Sequence, residues 1–170
     1  MAATRIMEAD RLRRTIRRLA YEIVERNRGT GNIVLVGIRK RGSRLAELIA
    51  EALRSVEAQP VPCVSLDVTP FRDDRPEGAA LPAPAAMPDL HDRDVIVVDD
   101  VLFTGRTARA ALDAVVRNGR PRSIQLVALV DRGHREYPIQ PDYVGLVMPT
   151  KHRERVVVEL DHEPSIRIED

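Results

Sequence analysis

Val95-Ile96-Val97-Val98-Asp99-Asp100-Val101-Leu102-Phe103-Thr104-Gly105-Arg106-Thr107 runs from a purely aliphatic segment into two adjacent carboxylates and then into a Thr-Gly-Arg-Thr turn. Four apolar residues in a row predict a buried strand, and the residues beyond it predict the start of a helix. Two neighbouring carboxylates at a strand end repel one another unless a cation or hydroxyl donors meet them. Sugar hydroxyls or a hydrated Mg²⁺ are such partners, because Mg²⁺ takes one or two carboxylates and fills its remaining positions with water and substrate oxygens. The turn that follows offers free N–H groups at a helix N-terminus, a glycine for close approach and two threonine hydroxyls, which is a phosphate cradle. Diol-binding carboxylates followed by a phosphate cradle describe a pocket for a ribose 5-phosphate. Read alone, Asp99-Asp100 would be a turn and Thr104 a helix cap; the order of the parts favours the pocket.

Working outward, Leu12, Ile16, Leu19, Ala20, Ile23 and Val24 predict an amphipathic helix over Glu8–Arg28, stopped by Gly29 and Gly31. Ile33–Ile38 predicts a buried strand, Arg39-Lys40-Arg41-Gly42 a basic loop, and Leu45, Leu48, Ile49 and Leu53 a second helix with Ser43 as its N-cap. Val61–Thr69 predicts a strand that Pro60, Pro62 and Pro70 push to a sheet edge. Arg72–Met87 has no periodicity, carries charges and then prolines, and reads as a segment that buries no face, a mobile functional loop. After the central stretch, Ala108, Ala111, Leu112, Val115 and Val116 predict a helix with these residues inward, ended by Gly119 and Pro121. Strands are expected at Ile124–Val130, Tyr143–Val147 and Val156–Leu160, with a charged loop at Asp131–Pro138. Strands alternating with single helices predict an α/β domain, an open, mostly parallel twisted sheet flanked by helices, with ligands outside the carboxyl ends of its strands.

The chain's 170 residues predict one domain spanning 1–170. Apolar residues at 44% and charged residues at 31% are a globular composition. Lys+Arg at 27 against Asp+Glu at 26 leave a net charge of +1, so any nucleic-acid site must be a local patch. A single cysteine, Cys63, excludes an internal disulfide and multi-cysteine zinc sites. The first residues lack the apolar stretch of a signal peptide, and the aliphatic runs are too short to span a membrane; the expectation is a cytoplasmic protein with no membrane partner.

The central stretch resembles the binding motif for 5-phosphoribosyl 1-pyrophosphate (PRPP) of the type I phosphoribosyltransferases. Val36-Gly37-Ile38-Arg39-Lys40-Arg41-Gly42, Asp67–Asp74 and Leu129-Val130-Asp131-Arg132-Gly133-His134-Arg135-Glu136 extend the likeness, at these separations, to the PyrR family of pyrimidine operon regulators. It covers nearly the whole chain, from the first helix to Leu160. The resemblance implies the type I phosphoribosyltransferase fold with a flexible hood at about residues 70–92, and a uracil phosphoribosyltransferase that makes UMP and pyrophosphate from uracil and PRPP with Mg²⁺. It implies PRPP binding over Val95–Thr107, pyrophosphate held by Arg39, Lys40, Arg41 and Gly42, and catalytic parts for Asp99, Asp100, Arg72 and Arg41. The base would lie against Val130, Asp131, Arg132 and His134, with His134 either an acid or base or an orienting side chain. Mg²⁺ would arrive mainly through substrate and meet Asp99 and Asp100 through water. Lys40 stands where the family usually has threonine, so pyrophosphate is expected to be held more tightly.

The family also binds pyr operon mRNA in response to UMP or UTP and forms homodimers or larger homo-oligomers. Arg11, Arg14, Arg17, Arg18 and Arg28 lie off the apolar stripe of the first helix with Tyr21 among them, an arrangement suited to a stacked RNA base; Glu22 and Glu25 could equally pair with the arginines. Lys151, His152, Arg153 and Arg155 form a second basic cluster. Arg14, Arg17, Arg18, Tyr21, Lys151 and Arg153 are thus the expected RNA contacts. Arg17 and Tyr21 replace the family's usual Thr and His, Gln140 its Arg, and Thr150-Lys151-His152-Arg153-Glu154 its Thr-Ser-Lys-Ser-Glu. Two other readings remain open at this point: a regulator with little or no catalysis, and a phosphoribosyltransferase for another nucleobase, since Lys40, Tyr137 and Gln140 alter loops near the pocket.

Overall fold

The structure, a computed structural model, describes residues 3–170. Its centre is a five-stranded parallel sheet in the order β3-β2-β4-β5-β6. The strands are β2 (Ile33–Ile38), β3 (Cys63–Leu66), β4 (Asp94–Leu102), β5 (Ser123–Asp131) and β6 (Tyr143–Val147). β1 (Ala3–Met7), β7 (Arg155–Glu159) and β8 (Ser165–Glu169) form a separate antiparallel sheet in the order β1-β8-β7. The strand expected near Val156–Leu160 therefore exists but lies outside the main sheet, and its partners β1 and β8 were not foreseen.

Both faces of the parallel sheet are covered, which is why its strands read as continuous apolar runs rather than alternating ones. Ile33, Leu35, Ile96, Val98, Val127 and Leu129 pack with α1 (Ala9–Asn27) and α2 (Arg41–Glu57). Their neighbours Val34, Val36, Val95, Val97, Leu126 and Ala128 pack with α3 (Arg106–Val116) and with Phe71 and Leu90. Pairing along β4 places Val97 beside Val36 on one side and Leu126 on the other, so β4 is the central strand and its carboxyl end lies between those of β2 and β5.

Three local expectations are corrected. Ser43 is not the N-cap of α2: the helix begins at Arg41, and the Ser43 hydroxyl donates instead to the Gly37 carbonyl at 3.0 Å, binding the first turn to the strand before it. Val116 is 54% exposed at the end of α3, and the buried face is built by Ala108, Ala110, Ala111, Ala114 and Val115. Arg72–Arg93 contains neither helix nor strand, yet it does bury side chains: Leu90 is fully buried, and Ala85 and Met87 pack against the α3-side core. The edge position expected for the proline-flanked strand is where β3 lies, trimmed to four residues. Among the described residues, no helix is long and apolar enough to cross a membrane.

Candidate active site

Three connections leave the carboxyl ends of adjacent strands: 39–40 with the first turn of α2 after β2, 103–105 after β4 and 132–142 after β5. Arg39, Lys40 and Arg41 are exposed, while Gly42 is buried against β4. A Cβ at Gly42 would lie 2.5 Å from the Val98 carbonyl oxygen and 3.2 Å from the Asp99 Cα, so only glycine lets the basic loop sit this close to the two carboxylates. Gly42 acts through this packing; the three cationic side chains form the wall of a cleft of about 480 Å³ whose opposite side is Asp99 and Asp100. The Arg39–Lys40 peptide is cis.

β4 extends through the two aspartates, which sets them in a fixed backbone towards the carboxyl end of the central strand. Asp99 is 7% exposed, and its carboxylate accepts one hydrogen bond, from the Asp100 N–H at 2.9 Å. Burial, and then repulsion from Asp100, push the Asp99 carboxyl well above the usual carboxylate range. No cation pairs with either aspartate among the described residues, so the protein itself supplies no charge partner for the pair.

Asp99 also borders a second cleft of about 310 Å³, lined by Arg72, Val101, Leu102, Phe103 and the Thr104–Thr107 turn. Gly105 has φ 88° and is the N-cap of α3 without a side-chain cap, which leaves the start of that helix open to an anion. Thr104 Oγ1 accepts the Arg106 N–H at 3.3 Å, and its carbonyl accepts the N–H groups of Glu136 and Tyr137 at 2.9 and 3.1 Å, fastening the turn to the loop after β5. Arg72 reaches the same cleft: its guanidinium donates to Thr107 Oγ1 at 3.4 Å and to Asp74 at 3.0 Å. The two clefts meet at Asp99, so the basic loop, the carboxylates, Arg72 and the Thr-Gly-Arg-Thr turn form one continuous site. Of the motif residues, Val95, Ile96, Val97 and Val98 are fully within the core and act by placing Asp99.

In the loop after β5, Asp131 accepts the Gly133 N–H at 3.1 Å and Arg135 at 2.7 Å, while Arg135 also donates to the Phe103 carbonyl at 2.9 Å. Arg132, expected at the base, is buried with its guanidinium 4.1 Å from the Phe103 ring centroid and donates to Thr150 Oγ1 at 2.8 Å and the Lys151 carbonyl at 2.9 Å. Val130 is fully buried beneath it. His134 is exposed, has φ 66°, and its Nε2 lies 2.6 Å from the Thr150 carbonyl. Its ring meets Phe103 and His152 edge-on at 5.4 and 5.3 Å. Arg132 and His134 thus tie the loop after β5 to residues 150–152, a link no sequence periodicity announces.

The expected RNA contacts separate into two groups. Arg17 and Tyr21 line a groove with Arg13, Leu48, Glu51 and Ser55 between α1 and α2. Arg18 turns to the other side, where it pairs with Glu22 at 2.6 Å and donates to the Gly145 carbonyl at 2.8 Å; Arg14 is exposed. Lys151 and Arg153 are exposed on the loop that Arg132 and His134 hold.

A family model described as "Phosphoribosyl transferase domain" matches residues 3–162. The Bifunctional protein PyrR of Deinococcus radiodurans is 51% identical over 158 residues, covering 91% of this chain and 86% of that protein. Those of Pelotomaculum thermopropionicum and Bacillus subtilis are 50% and 48% identical, covering 91% and 92% of this chain and 87% and 89% of those proteins. In structure, the hypoxanthine phosphoribosyltransferase of Trypanosoma cruzi superposes with a TM-score of 0.76 over 97% of this chain and 95% of that one, at 19% identity, a likeness of fold. The type I fold expected from the sequence is therefore the fold observed, and by domain model and by whole-length identity the chain belongs to the phosphoribosyl transferase family and, within it, to the PyrR proteins.

Proposed function

We propose that this chain is a uracil phosphoribosyltransferase that transfers ribose 5-phosphate from PRPP to uracil, and that it also binds pyr operon leader RNA under control of UMP or UTP. The observation that carries the catalytic half is the uncompensated Asp99–Asp100 pair, set between a wall of three cationic side chains and an open helix N-terminus. A ligand with a diol in the middle, a pyrophosphate at one end and a phosphate at the other matches that order of charges. The membership in the PyrR family supports uracil as the base.

Thr104–Thr107 and the α3 N-terminus would hold the 5-phosphate, Asp99 and Asp100 the ribose hydroxyls, and Arg39, Lys40 and Arg41 the pyrophosphate. The carboxylate pair fits Mg²⁺ as a donor set, because it supplies at most two protein oxygens and leaves the rest to substrate and water. When bound, Mg²⁺ would neutralise part of the charge on the departing pyrophosphate. The N1–C1′ bond forms as the C1′–O bond to pyrophosphate breaks; the electron pair leaves with pyrophosphate and the N1 proton is lost. This chain's own residues contribute by positioning and by cations aimed at the leaving group, with Arg72 above the cradle and the hood excluding water from the ribosyl centre. The base is held along Val130–His134, largely by backbone groups, since Arg132 is occupied by Phe103, Thr150 and Lys151.

Support for the RNA half is the exposure of Arg14, Arg17, Tyr21, Lys151 and Arg153, an aromatic ring among cations on a chain with no global positive field. The catalytic reading is tested by product formation from PRPP with uracil, hypoxanthine, guanine or orotate, with and without Mg²⁺. The expected result is UMP from uracil, dependent on Mg²⁺, and no comparable product from the other bases. No product from any base, or preference for another base, would overturn it. Nucleotide-dependent binding of pyr leader RNA, lost at high salt, is expected for the regulatory half.

A further inference from the structure

The root of the hood is fastened residue by residue to the start of α3. The Phe71 carbonyl accepts from Arg109 at 3.2 Å, Arg72 donates to Thr107 at 3.4 Å, and Asp73 accepts from Arg106 at 2.9 Å. A third loop joins in at Asp73: the Tyr137 hydroxyl, from the loop after β5, donates to the same Asp73 oxygen. Arg106 closes the cluster by donating to the Tyr137 oxygen at 3.0 Å and to Glu136 at 2.7 Å, with its guanidinium 4.8 Å from the Tyr137 ring centroid. The two acceptor bonds at Asp73 hold its carboxyl below the usual range, so it stays ionised and available to both donors.

We infer that Tyr137 is a positioning residue for the transfer: through Asp73 it fixes the hood root, and with it the adjacent Arg72, over the phosphate cradle. The inference rests on the phosphoribosyltransferase reading above. Asp73 and Arg72 are consecutive, so a displacement of one moves the other, and Arg72 is the hood's cation inside the cleft shared by Asp99 and Thr104–Thr107. Tyr137 is four residues from Gly133 in the loop assigned to the base. A base settling there restrains Tyr137, Tyr137 restrains Asp73, and the hood root is held when both substrates are present. The coupling is the two-loop contact itself, with Asp73 as the element both loops share.

The test uses the full chain with Tyr137→Phe, Asp73→Ala and the double variant. Tyr137→Phe keeps the ring and removes only the hydroxyl, so folding is retained. In ligand-free protein, amide exchange of the hood root around residues 71–75 is expected to quicken by about three- to tenfold, the equivalent of one net hydrogen bond. KM for PRPP is expected to rise by a similar factor, about three- to tenfold, with kcat changed far less. In the Asp73→Ala background, Tyr137→Phe is expected to add clearly less to either readout than it does alone, only its bond from Arg106 being left to lose. Unchanged exchange at the hood root in Tyr137→Phe, or additive effects in the double variant, would overturn the inference. If the wild-type protein formed no product with any base, the exchange arm would still decide the latch, so its failure and that of the enzymatic reading are separable.

Discussion

β4 carries Asp94 at its start and the Asp99–Asp100 pair towards its carboxyl end, and treats Asp94 and Asp99 in opposite ways. Asp94, at the start, is 4% exposed and fully partnered: Arg122 pairs with it, Ser123 donates at 2.7 Å, and Asn32 at 3.4 Å, all of which hold its carboxyl below the usual range. Asp99, five residues on, is as buried but receives one backbone hydrogen bond and faces a second carboxylate, which drives its carboxyl the other way. A buried charge that the protein satisfies contributes to the fold; one that it leaves unsatisfied costs stability and waits for something from solution. The same strand thus holds a partnered and an unpartnered carboxylate, the second at the proposed site, and burial alone would not tell them apart.

Moving the basic loop off the unpartnered carboxylate should have the largest effect. Gly42→Ala puts a methyl 2.5 Å from the Val98 carbonyl, so the loop must lift from Asp99. Turnover is expected to fall about 100-fold, the scale of an ångström-level misplacement, with a stability loss of about 1–3 kcal/mol from overpacking. Steady-state kinetics and urea unfolding would measure both, and wild-type turnover would show that the loop's closeness to β4 has no catalytic part.

At the partnered carboxylate, Asp94→Ala should cost about 2 kcal/mol through its buried hydrogen bonds, while activity per folded molecule stays at the wild-type level. The Arg122 partner is 62% exposed and adds little to that figure. Because the Asp94 carboxyl is lowered in the folded protein, its contribution is present above the unfolded value of about 3.9 and is lost as pH falls through the lowered folded value. A denaturation midpoint that does not converge between wild type and variant at acid pH would contradict this.

Asp99→Asn should do the reverse in the ligand-free protein. A raised carboxyl binds its proton more tightly in the folded state, so its stabilising contribution is complete below about pH 3.9 and is lost as pH rises through the raised value. The amide variant escapes that loss and should be more stable than wild type at pH 7, with the advantage vanishing at acid pH. Thermal unfolding across pH would check it; an unstable variant at neutral pH would mean that Asp99 is compensated after all. The smallest effect is expected for Lys40→Thr, where KM for PRPP should rise by about two- to fivefold as one exposed cation leaves the pyrophosphate wall.

Much of this organisation is legible in residue order. The aliphatic runs at 33–38 and 95–98 could only be buried parallel strands, and the charged or glycine-rich residues that follow each run mark the strand ends where the clefts lie. What could not be read depends on contacts distant in sequence. β1 and β8 are short, half-exposed and paired across nearly the whole chain, so neither has a strong local signal, although Ile166 and Ile168 alternate as a strand should. Arg132 looked like a base ligand because nothing local reveals the Phe103 ring and the Thr150 hydroxyl that take up its donors. The hood looked wholly exposed because Leu90 and Met87 are isolated apolar residues whose burial depends on α3.

The most direct test of the account is calorimetric titration of PRPP with Mg²⁺ into wild-type protein and into the Asp99→Asn, Asp100→Asn double variant, with thermal unfolding as the check on folding. The account predicts saturable binding to the wild type and binding weaker by at least about tenfold to a double variant that unfolds at the wild-type temperature or above. Equal affinity in the two proteins would contradict it, and would mean that the unsatisfied carboxylates at the end of β4 are not where the ribose 5-phosphate is held.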